Sequence, residues 1–261
     1  MDEIRVLVRQ WTAEEEKPGY RPPSASWPRH QPRHSHVPAY RASLAECGGL
    51  DVPACYGAAF TLAVALLGGA LFGHAEFEDE AEPSAPEEAE GLALLSQLAA
   101  LGSPEGACGL AFCLLDGPGE HTRDELAAAA LFERAAHAGL PQAMSELATM
   151  HFLGDGIPED AILAAHWFRR AAEGGVPAAM YLWGECLLEG RGCARDASHA
   201  REWFLAAGKL GHRGARHRII TECAQEAADD ERLEARYGRA SGRRGSRWDS
   251  RDGTASREPE S

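Results

Sequence analysis

AMSELATMHFLGDGIPEDAILAAHWFRRAAEGGVP starts at Ala143, and AMYLWGECLLEGRGCARDASHAREWFLAAGKLGHR starts at Ala179. Gly154, Gly156, Asp160, Ala164, Trp167, Phe168, Ala171 and Gly175 of the first stretch return 36 residues later as Gly190, Gly192, Asp196, Ala200, Trp203, Phe204, Ala207 and Gly211. A fixed period of this size is the mark of stacked helix pairs, in which no single pair can bury its apolar face alone. The fold class this predicts is all-α: an α/α superhelical solenoid of helix-turn-helix repeats.

Each recurring residue has a physical reason to be where it is. Along the first helix, Ala143, Leu147, Ala148 and Met150 share one side, while Gln142, Ser145 and Thr149 lie on another. Gly154 and Gly156 bracket a turn that needs positive φ or close chain passage. Asp160 stands just before the next apolar run, where a carboxylate can accept from the free N–H groups of a first helical turn; Asp124 and Asp196 are placed alike. Ala164, Trp167, Phe168 and Ala171 form the stripe of the second helix that packs against its neighbours, and Gly175 supplies a left-handed stop. Trp167 and Trp203 could instead form an aromatic ligand cage, but identical repeat positions favour packing.

Upstream, Ala107, Asp124, Ala128, Phe132, Ala135 and Gly139 extend the pattern to a third, looser copy, with Leu131 in place of Trp. The repeats are thus expected at 107–142, 143–178 and 179–214. A degenerate first repeat and N-terminal cap should occupy 39–106. Its helix starts either near Ala63 or near Ala54, and it carries an open acidic loop at 75–90 with eight Asp or Glu and no basic residue. Residues 1–38, with six prolines between Lys17 and Pro38, are expected to be mostly disordered. A capping helix is expected at 215–237, followed by a disordered Arg/Gly/Ser-rich tail at 238–261 with six Arg against four acids.

These residues resemble the Sel1-like repeat family, a relative of the tetratricopeptide repeat. Ala143, Leu147, Gly154, Gly156, Ile157, Asp160, Ala164, Trp167, Ala171, Ala172 and Gly175 fill the family pattern, whereas Ala148 and His151 depart from its Gly and Tyr. The second copy keeps Gly184 and Trp203 but has Trp183, Leu187 and Cys193 elsewhere. The resemblance implies a scaffold for protein–protein contact, often in assembly or quality control, and no shared chemistry. Cys47 and Cys55 look like the helix-bridging disulfide pair of the family's cysteine-rich members.

Composition narrows the classes further. The net charge of −14 argues against the whole chain being a nucleic-acid binder and favours basic partners. Seven cysteines include no C-x-x-C spacing, so a zinc ribbon is not expected. The acidic N-terminus is no secretory signal, which points to cytoplasm or nucleus. Residues 52–73 are uncharged over 22 positions, but Pro53, Gly57, Gly68 and Gly69 disfavour a membrane span.

No phosphate loop, nucleophile elbow or H-E-x-x-H is present, so no catalytic, cofactor-binding or metal-binding residue is assigned and no enzyme activity or cofactor is expected. The leading expectation is a non-catalytic scaffold or adaptor. Its partner, a protein or peptide, would meet first-helix positions not needed for packing: Ser145 and Thr149 in one copy, Tyr181 and Glu185 in the next. Two other classes stand beside it, a redox- or metal-linked assembly factor using the cysteines and an RNA-associated protein using the Arg-rich tail.

Overall fold

Pro104, Pro141 and Pro177 each open a helix, at the position where a missing N–H leaves no helical bond unmade. The computed structural model describes residues 2–15, 34–67, 84–116 and 123–242. Within them the three repeats are α5 (Pro104–Asp116) with α6 (Glu125–His137), α7 (Pro141–Leu153) with α8 (Ala161–Glu173), and α9 (Pro177–Glu189) with α10 (Ala197–Lys209). The described residues contain helices and no strand. Each helix packs chiefly on those before and after it in the chain, as a solenoid requires. The first helices start two or three residues ahead of the expected boundaries at 107, 143 and 179, because the prolines belong to the first turn.

The acids stand at the second helices' N-termini as the spacing predicts. Asp124 Oδ1 accepts from Ala127 N at 2.9 Å, Asp160 Oδ1 from Ile162 N and Leu163 N at 2.9 and 3.0 Å, and Asp196 Oδ1 from His199 N at 3.0 Å. That bond from the His199 backbone holds the Asp196 carboxyl below the usual carboxylate range. The same aspartates also donate their backbone N–H to the preceding helix: Asp160 to the His151 carbonyl and Asp196 to that of Leu187. The residue therefore caps one helix and ties it to the previous one. Asp160→Ala is expected to cost about 1 kcal/mol, read by chemical denaturation; an unchanged midpoint would mean the cap contributes nothing.

The second glycine of each turn has a tertiary duty. Gly156 has φ +69° and Gly192 +73°, and a Cβ at either would strike the start of the preceding second helix. At Gly156 it would meet the Glu125 backbone at 2.8 Å; at Gly192, the Ala161 carbonyl oxygen at 1.9 Å. These turns are therefore where adjacent repeats touch. Phe132, Phe168 and Phe204, one per repeat and fully buried, fill the space inside the pairs.

Upstream, α2 (Val37–Cys47) ends at left-handed Gly48, and a 3-10 turn at Pro53–Cys55 leads into α3 (Tyr56–Leu66). Ala63 thus lies inside the helix and does not begin it. No helix among the described residues is long and apolar enough to cross a membrane. Cys55 is disulfide-bonded; the side chain of Cys47, its expected partner, lies outside the described residues. The acidic segment is not wholly an open loop. α4 (Ala85–Ala100) starts after Ser84, which with Glu87 forms a capping box. Glu87 and Glu88 sit in its first turn, where negative charge opposes the positive end of the helix dipole, so carboxylates that repel in a loop stabilise here. The preceding part of the acidic stretch, 75–83, lies outside the described residues.

The first and last described helices pack together. After the last repeat runs α11 (Arg213–Gly242), longer than the expected 215–237, and against it packs α1 (Asp2–Glu15). Residues 2–15 are therefore not part of a disordered segment. Ile4, Leu7, Val8 and Trp11 make one apolar face at helical spacing, and Trp11 is 3% exposed, lying against Gly208 with the buried Arg216 guanidinium 5.3 Å from its ring. Helix α1 covers the terminal face that a further second helix would otherwise cover. Of the rest of the expected disordered segments, 34–38 forms a 3-10 turn and the start of α2, and 238–242 belongs to α11, while 16–33 and 243–261 lie outside the described residues.

Candidate functional site

Two surfaces remain once the packing residues are set aside. The first is the outer stripe of the first helices. Ser145 is 3% exposed and belongs to the packing between helices, so it presents no side chain to a partner. Thr149 is half-buried and donates its hydroxyl to the Ser145 carbonyl at 3.0 Å. Tyr181 stacks on the His212 ring at 4.9 Å and tilts against Phe204 at 5.5 Å. Glu185 pairs with Arg218 of α11 at 2.6 Å, yet burial raises its carboxyl above the usual range despite that guanidinium. His212 is pushed the other way, its titration lowered by burial, and its Nδ1 accepts from Ala215 N at 3.2 Å. The four expected positions therefore do not form one open patch. Beside them Leu153, 59% exposed, and Glu189, its equivalent one repeat later, are open to solvent.

The second surface is a groove between α8 and α10, floored by α9. It has a volume of about 570 Å³ and is lined by Trp183, Leu187, Trp203, Glu173, Glu202 and Ala206, with Arg169 and His199 at its ends. Arg169 Nε donates to Glu173 at 2.9 Å, and His199 Nδ1 lies 2.9 Å from the capping Asp196. The sequence reading placed Trp203 in the packing with Trp167. The structure separates them: Trp167 is 7% exposed, whereas Trp203 is half-buried and forms a wall of the groove. The signal that distinguishes them lies in their neighbours, as set out below.

Among the described residues no group of three or more His, Cys, Asp or Glu could hold a metal ion. Cys108, Cys113, Cys186, Cys193 and Cys223 are not disulfide-bonded. Burial pushes the Cys108 thiol well up, with the charges of Glu146 and Glu105 adding to it. Burial and then Cys193 push Cys186 to about 11, and burial raises Cys193 too. Cys193 Sγ donates to the Cys186 carbonyl at 3.4 Å. Burial at these positions favours the thiol over the thiolate.

Comparison with known proteins agrees with this architecture. The Sel1 repeat family model matches residues 104–140, 141–176 and 177–212, each beginning at or within a residue of a helix-opening proline. Among solved structures, the chain is similar to a protective antigen of uropathogenic Escherichia coli strains that displays an SLR fold. The identity is 24% and the TM-score 0.54, over 69% of this chain and 34% of that one. The chain thus spans about a third of that protein's length. It is also similar to a Sel1 repeat protein from Oxalobacter formigenes, with 32% identity and a TM-score of 0.46, over 49% of this chain and 96% of that one. No curated protein matches it.

Proposed function

Since the chain belongs to the Sel1 repeat family, we propose that it is a non-catalytic scaffold that holds a protein or peptide partner on the outer stripe of its first helices. One observation carries this reading: most of the residues the repeats share are consumed by caps, turns and packing, while the outer stripe, half-buried at its start and exposed at its end, changes from copy to copy. Glu146, Thr149 and Leu153 of α7 are replaced by Leu182, Glu185 and Glu189 of α9 at equivalent places. A surface kept in shape but varied in chemistry is suited to recognising one particular partner. Thr149 and Glu185, both half-buried, belong to this stripe, and Tyr181 packs against Phe204 and His212.

The test is affinity capture from cells with the wild-type chain and with a Leu153→Arg/Glu189→Arg double variant. Both positions are exposed, so folding should be retained and checked by circular dichroism. Loss of the principal interactors is the expected result, because two new cations on the stripe repel or obstruct a fitted partner. An unchanged interactor set would move the binding function to another surface.

A further inference from the structure

Trp167 and Trp203 occupy the same repeat position, yet the side chains around them differ. Around Trp167 three groups close in. The Arg170 guanidinium lies 4.9 Å from the ring centroid, and the His137 and His166 rings meet its edge at 5.4 and 5.5 Å. Thirty-six residues later these three groups are Ala206, Glu173 and Glu202. The cation over the ring has become a methyl group, and two basic-type side chains have become carboxylates. Among the described residues no guanidinium sits over Trp203, which lines the groove of about 570 Å³.

We propose that this groove is a binding site for an arginine side chain carried by a partner segment, seated against Trp203 where Arg170 sits against Trp167 in the preceding repeat. The proposal rests on the scaffold reading and adds to it a second surface and the chemistry of what that surface takes. Trp203 and Trp183 offer aromatic surface to a planar cation, and Leu187 offers contact for the aliphatic stem. Glu202 is exposed and supplies the charge. Glu173 is already engaged by Arg169, so that pair borders the site and orients it. Counting Arg169 as +1 and Glu173 and Glu202 as −1 each leaves these three groups net negative, and the His199 ring is paired to Asp196. The chain's overall charge of −14 draws basic segments toward it at long range. An acidic segment would meet Glu202 and be repelled.

The experiment uses the full chain and two pools of fluorescein-labelled dodecapeptides. Both are random and free of Arg and Lys except at one central position, fixed as arginine in one pool and as citrulline in the other. Citrulline keeps the shape and removes the charge. Fluorescence anisotropy is expected to show the arginine pool binding about tenfold more tightly, with the Trp203 indole N–H resonance shifting in NMR. Ala206→Arg, which supplies in cis the group that Arg170 supplies one repeat earlier, should reduce arginine-pool binding to the citrulline level while the helical spectrum is unchanged. Glu202→Gln, at an exposed position, should weaken it severalfold. Equal binding of the two pools, no binding of the arginine pool, or full binding by Ala206→Arg would each overturn the site. The scaffold reading is tested with different variants on the first helices, so this groove can fail while that reading stands.

Discussion

Gly192→Ala is expected to destabilise the array by about 3 kcal/mol or more, far beyond the effect of Gly175→Ala. Both glycines have positive φ, +73° and +88°. An alanine in the left-handed region costs about 1–2 kcal/mol whatever surrounds it. The difference lies in space: nothing comes within 4 Å of a Cβ at Gly175, but at Gly192 the Ala161 carbonyl oxygen would be 1.9 Å away. That neighbour is backbone at the first turn of α8 and cannot swing aside. The two repeats must separate or the turn must rebuild, an overpacking cost of about 1–3 kcal/mol on top of the φ term. Urea denaturation of the two variants side by side provides the measurement. Equal losses would show that the 190–192 turn does not set the spacing between repeats.

Phe168→Ala should cost about 3–5 kcal/mol and break the array in its middle. Phe168 is fully buried, with Phe152 edge-on at 6.0 Å, and belongs to the core cluster that runs across all three repeats. Removing it leaves a cavity that helices anchored on both sides cannot close. Because a solenoid's stability is a sum of repeat and nearest-neighbour terms, the loss should be local before it is global. Hydrogen exchange should show protection falling most in α7, α8 and α9 and least in α4. Phe168→Leu should recover most of the stability; if it does not, the ring's shape and edge contact matter more than its volume. A uniform fall in protection along the chain would mean that the array unfolds as one unit.

Much of this was legible in the chain itself because repeats write their packing many times over. Asp124, Asp160 and Asp196 precede apolar runs at equal intervals, and a cap acts within one turn, so spacing alone locates it. The need for glycine at positions 156 and 192 was legible, but its cause was not: the atoms that forbid a Cβ belong to Glu125 and Ala161, some thirty residues upstream. The docking of α1 was written as an apolar face at 4, 7, 8 and 11, but a lone amphipathic helix does not say where it will settle. Ser145 and Tyr181 read as surface because they fall off the main apolar stripe. Packing between one first helix and the elements beyond it covers them all the same.

The sequence by itself determined the architecture: the period, the helix pairs, the aspartate caps, the phenylalanine stripe and the family. All of these arise from interactions within one unit or between a unit and its identical neighbour, which repetition makes visible. Only the tertiary structure decided how the array is closed and what it leaves open. It brought Trp11 onto Gly208 and so joined the first described helix to the last repeat, a contact between segments with no shared pattern. It also gave the equivalent tryptophans different exposure, because the groups around each ring come from two successive second helices. That those groups reach the ring at all depends on how helices stack in space.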